Sequence, residues 1–128
     1  MSYQHILVAV DLTDASQTVI NRAISMAQQN NSKLSLVFVD VDRVVLEPKD
    51  QRSFEQQLKA LVEQSHYPIE ESLIVVGDLH VKLSGMVKEM GIDLVVCGHH
   101  HKLWSRLFST VPKVANAVET DLLVVYLS

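Results

Sequence analysis

The chain has 128 residues, 48% of them hydrophobic, and 11 Lys and Arg against 15 Asp and Glu give a net charge of −4. That length suits one domain, residues 1–128, burying roughly two thirds of its unfolded surface, and is too short for two ordinary domains. A chain without a basic surplus lacks the clustered cations that nucleic-acid phosphates require, so nucleic acid is not an expected partner. Its longest apolar stretches run about five to seven residues, well under the 18 or so of a membrane span. Met1 to Val10 lacks the charged, apolar and cleavage regions of a secretory signal, and the expected location is the cytoplasm. A single cysteine, Cys97, excludes an internal disulfide and a cysteine-built zinc site, in agreement with a reducing compartment.

His5 to Val10 (HILVAV) is a near-continuous apolar run of strand length, the pattern of a strand buried on both faces of a parallel sheet. Helix one follows, with Thr13 or Asp14 as its N-cap and Val19, Ile20, Ala23, Ile24 and Ala27 at helical spacing. Lys33 to Val39 is strand two and Asp40 to Asp50 a connector. Phe54, Leu58, Leu61 and Val62 mark the apolar stripe of helix two. Ser72 to Val76 is strand three, ended by Gly77-Asp78, and Val81, Met86, Val87 and Met90 outline helix three, with Gly91 placed for a left-handed cap. Strand four is Asp93 to Cys97 and strand five is Asp121 to Leu127. Between them Pro112 fits the first turn of a fourth helix, capped by Ser109 or Thr110. Strict alternation with short connections implies a single doubly wound α/β domain with a five-stranded parallel sheet. Ligands of such sheets bind beyond the carboxyl ends of the strands, where strand order reverses, here the ends of strands one, two and four.

Those ends carry Asp11, Val39-Asp40 and Gly98 with three histidines. A phosphoacceptor receiver would need a lysine at the end of strand five, where this chain has Tyr126-Leu127-Ser128. For metal, His99, His100 and His101 are adjacent and point in different directions, so no metal site is expected. Cys97 reads as a small core residue. For phosphate, Gly98 is the sole glycine between strand four and residue 128, and Ser109-Thr110 looks like any helix cap. No Gly-x-Ser-x-Gly elbow occurs, and nothing in the pattern makes a positive case for an enzyme.

The segments YQHILVAVDLT, VDV after strand two, DLVVCGHHHKLWSRL and DLLVVYL together resemble the universal stress protein family, and within it the universal stress protein A-like subgroup. The resemblance covers essentially the whole chain, with a shorter segment between Asp42 and helix two. It implies strand order 3-2-1-4-5, a Rossmann-like fold of the adenine nucleotide alpha hydrolase kind, and a cytoplasmic homodimer made in response to starvation, oxidative or DNA-damaging stress. Many members bind ATP through an aspartate after strand one, a valine after strand two and a Gly-x2-Gly-x9-Gly-Ser/Thr loop. Asp11, Val39 and Gly98 match the first positions. His101 stands in place of the second glycine, Ser109 in place of the third, and Thr110 keeps the hydroxyl, in a loop two residues short. A side chain at His101 obstructs backbone approach to phosphate, and lost glycines remove positive-φ conformations. The reading is a non-enzymatic protein without a cofactor, holding at most a vestigial nucleotide crevice at Asp11, Val39, Gly98, Ser109 and Thr110. The alternative is an ATP-binding switch or weak ATPase.

Asp121 to Leu127 carries no proline or lysine and would leave an apolar sheet edge unpaired. Antiparallel pairing with the same strand of a second copy would satisfy it about a two-fold axis, so a homodimer is expected, with heterodimers or other protein partners open.

Overall fold

The computed structural model describes residues 3–40, 45–99 and 119–127. In chain order they form β1 (His5–Val10), α1 (Ser16–Asn30), β2 (Lys33–Asp40), α2 (Pro48–Gln64), β3 (Ser72–Val76), α3 (Leu79–Met90), β4 (Leu94–His99) and β5 (Asp121–Tyr126). The strands make one parallel sheet in the order β3-β2-β1-β4-β5, so the chain winds outwards from β1 in both directions. The doubly wound architecture and strand order expected from the sequence are both present.

Strand periodicity divides the apolar residues into two layers. Ile6, Val8, Val10, Leu34 and Leu36 face α1 and α2, meeting Val19, Ile20, Ala23, Ile24, Ala27 and Leu58. Leu7, Val37, Val39 and Val95 face the opposite way, onto Leu83, Met86 and Val87 of α3. Ile6, Leu7, Val8, Ile20, Leu34, Leu36, Val37, Leu83, Val95 and Val96 are essentially sealed from solvent. Each such side chain contributes about 1.5–3 kcal/mol of transfer free energy relative to exposure.

Several boundaries differ from the sequence reading. Helix α1 is entered through Ala15, with no side-chain cap bond, and neither Thr13 nor Asp14 caps it. The carboxylate of Asp11 draws in Thr13 and displaces the expected cap, as described below. Helix α2 begins at Pro48, inside the stretch read as connector, because proline is well tolerated in a first turn where its missing N–H costs nothing. Val81, assigned to the apolar stripe of α3, is 55% exposed, and Leu83 takes its place in the core. Gly91 adopts φ 67° as the left-handed cap, as expected. The fourth helix anticipated around Pro112, with Ser109 and Thr110, lies outside the described residues.

The amino end of the sheet is tied by polar contacts. Asp93 accepts from the backbone N–H of Gln4 at 2.7 Å and of His5 at 3.0 Å, which fixes the start of β1 beside β4. The Tyr3 hydroxyl donates to Asp121 at 2.8 Å. The Tyr67 hydroxyl donates to the Ser32 carbonyl and so pins the approach to β3 against the end of α1.

Candidate functional site

The three matched positions Asp11, Val39 and Gly98 do converge, since β2, β1 and β4 are neighbours and all three residues lie at the carboxyl end. Asp11 and Val39, however, have their side chains engaged with the protein, and Gly98 has no room for one. Asp11 Oδ1 accepts three hydrogen bonds, from Thr13 N at 3.0 Å, Thr13 Oγ1 at 2.7 Å and Ser16 Oγ at 3.0 Å. This is an Asx-type turn, which aspartate forms readily with the backbone two residues on. Ser16 is buried, so the bond to Asp11 satisfies a hydroxyl that water cannot reach. Between them Leu12 is held at φ 60°, a conformation that costs a branched side chain energy and that the Asp11 turn stabilises. Thr13, Ser16 and Leu12 escaped the sequence reading; the Asp-x-Thr spacing after a strand was the available signal.

Val39 is 8% exposed and packs beneath α3, so what it can show to the crevice is limited to its main chain. Gly98 was expected to follow strand four, but β4 continues through Gly98 and His99, paired with Val125 and Tyr126 of β5. The reason for glycine at this position is steric. A Cβ added there would come within 2.8 Å of Val19 Cγ2 and 2.9 Å of Leu127 Cδ1. Val19 of α1 and Leu127, just after β5, therefore leave no room for a side chain on β4 at this point. His101, Ser109 and Thr110 lie outside the described residues.

Next to these groups, Asp40 is buried at the end of β2, and its carbonyl accepts the N–H of Gly77 at 3.1 Å. Gly77 stands at φ 141°, a backbone conformation that side chains rarely adopt, which accounts for glycine there. Gln17 Oε1 is buried without a hydrogen-bond partner among the described residues, and nothing in the structure explains it.

Cys97 is half-buried, which corrects its assignment to the core, and burial pushes its thiol up to about 11. A thiol so raised is protonated near neutrality and is a poor nucleophile. Among the described residues, no group of three or more His, Cys, Asp or Glu is arranged to hold a metal ion.

The Universal stress protein family model matches residues 2–126. The chain belongs to the universal stress protein family. It is 44% identical to universal stress protein A of Photorhabdus laumondii over 98% of this chain and 96% of that one. Identity to universal stress protein A of Escherichia coli K12 is 41%, over 98% and 95%. These alignments span 137 positions against a chain of 128, so the relatives carry residues that this one lacks. Among solved structures, a universal stress protein in complex with cAMP superposes with a TM-score of 0.77 at 27% identity, covering all of both chains. The protein MJ0577 superposes at 0.79 with 16% identity, a likeness of fold. As a universal stress protein similar to the A-type members, this is a stress-response protein. Among the described residues, no helix is long and apolar enough to cross a membrane.

Proposed function

We propose that this universal stress protein works in the cytoplasm as a non-enzymatic homodimer, acting through protein contacts during starvation, oxidative or DNA-damaging stress, without ATP as cofactor. The observation that carries this reading is the filled environment of Gly98. The one glycine kept from the nucleotide pattern is accounted for by the closeness of Val19 and Leu127, which leave no room for a Cβ, with no need of a phosphate. Asp11 supports the same reading, because its Oδ1 already accepts three internal bonds. Dimerisation is supported by the position of β5 at the sheet edge, with Leu122 to Val125 half-buried and Tyr126 75% exposed. A second copy would complete the hydrogen bonding of that edge.

A second reading, the ATP-binding switch, draws support from the cAMP complex of a structural neighbour and from the presence of Asp11, Val39 and Thr110. Calorimetric titration of nucleotide-stripped protein with magnesium ATP, together with a light-scattering mass, separates the two. The expected result is a dimer that gives no heat at millimolar ATP. Micromolar binding would overturn the proposal, and His101→Gly should then only adjust an affinity that already exists.

A further inference from the structure

The opposite, amino end of the sheet carries an open depression of about 630 Å³ between the last turns of α3 and the first residues of β1, β2 and β3. Its apolar floor is Leu73, Met86 and Met90, and Glu70, Glu71 and Glu89 stand around it with His5 and Lys33. None of these three carboxylates makes an ion pair with another described residue, so Lys33 leaves the rim with an excess of negative charge. The carboxyl-terminal end of α3 adds the negative pole of the helix dipole on the same side, with Lys88 in its last turn as the offsetting cation. His5 is not a spare ligand there. Its Nδ1 donates to the Met90 carbonyl at 3.2 Å and its Nε2 lies 2.8 Å from Ser35 Oγ, so the ring is a fixed wall.

The depression abuts β3, an edge strand. The backbone bonds around β3, from Glu70 N to Leu34 O, from Leu36 N to Glu71 O and from Gly77 N to Asp40 O, all run inwards to β2. An extended chain laid along the outer edge would gain main-chain bonds and could drop alternate side chains beside the sheet. Arginine suits the depression best: its methylenes can lie on Leu73, Met86 and Met90 while its planar guanidinium bridges two carboxylates.

We propose that this amino-end groove is a docking site for an extended, arginine-bearing segment of a partner protein. The site is separate from the carboxyl-end crevice. It deepens the reading that the protein acts through contacts, yet its test is independent of the outcome with ATP. The probe is a fluorescein-labelled peptide alternating valine and arginine, followed by anisotropy with the intact protein; a glutamate-for-arginine peptide is the control. Saturable binding is expected for the arginine peptide alone. Glu70→Lys or Glu89→Lys should each weaken it about tenfold, in line with loss of an arginine anchor, and added salt should weaken it further. Glu63→Lys, on α2, should leave it unchanged. Glu89→Gln, checked by circular dichroism, keeps the test valid if a charge reversal disturbs folding. No saturable binding, indifference to Glu89→Gln, or equal weakening by Glu63→Lys would overturn the proposal. Full competition by free spermidine at matched charge would overturn it in favour of a small-cation site. A doubled mass lost in Glu89→Lys would do so in favour of a second copy.

Discussion

The two ends of one sheet have been treated in opposite ways. At the carboxyl end, where open α/β sheets bind their ligands, the polar and conformationally special groups are turned inwards. Asp11 bonds to Thr13 and Ser16, and Gly98 is hemmed in by Val19 and Leu127. At the amino end, Asp93 is likewise spent on the backbone of β1, but Glu70, Glu71 and Glu89 make no ion pair among the described residues. The contrast between the two ends lies in how far each carboxylate's hydrogen-bonding capacity is already used within the protein.

Substitutions can break that contrast, and the largest effect is expected at Asp93. Asp93→Ala removes a carboxylate that accepts two backbone N–H groups, and should cost about 3 kcal/mol in urea denaturation, since bonds to charged groups are the stronger kind. Asp11→Ala should cost about 2 kcal/mol by the same measurement, chiefly because the buried Ser16 hydroxyl loses its partner. Asp11→Asn, which keeps an acceptor, should recover most of it. If Asp11 were held for nucleotide and not for structure, Asp11→Ala would leave stability untouched.

Gly98→Ala should cost about 1–2 kcal/mol, the scale of mild overpacking, because Val19 and Leu127 must both give way. Val19→Ala introduced with it should restore part of the loss, which would show that the glycine answers to packing. The smallest effect near neutrality belongs to Cys97. Its folded thiol is raised above the ordinary value, so the unfolded chain ionises first as pH rises. The cysteine therefore leaves stability unchanged below about pH 8 and lowers it between about pH 9 and pH 11, where Cys97→Ala should flatten the curve. Iodoacetamide should correspondingly label the folded protein slowly at pH 8.

The fold was readable because its elements obey a single period each. His5–Val10 and Ser72–Val76 have the boundaries read from the sequence, being apolar runs closed by turn residues. Boundaries slipped where tertiary contacts outweighed local signals. Thr13 looks like a cap, yet Asp11 recruits it first. Gly98 looks like the end of a strand, yet pairing with Val125 carries β4 past it. The candidate site was legible as a location, because Asp11, Val39 and Gly98 follow from strand order. Their engagement was not legible, since it depends on Val19, Leu127 and Ser16 reaching them across the fold. Nor did the amino-end groove show in the sequence: Lys33, Glu70 and Glu89 are far apart in the chain and share no periodicity.

The central position of β1 also sets a local pairing beside a long-range one. His5 pairs with Lys33, so the β1-β2 ladder can close around α1 early, and β3 can follow. The other side of β1 waits for Leu94 to reach Ile6. During synthesis the half-sheet therefore holds an open apolar edge at Ile6, Leu7 and Val8 until most of the chain has emerged, and late pairings of this kind are slow and prone to aggregation. The same parallel topology that gives β1 two buried flanks thus makes one of them wait for a distant part of the chain.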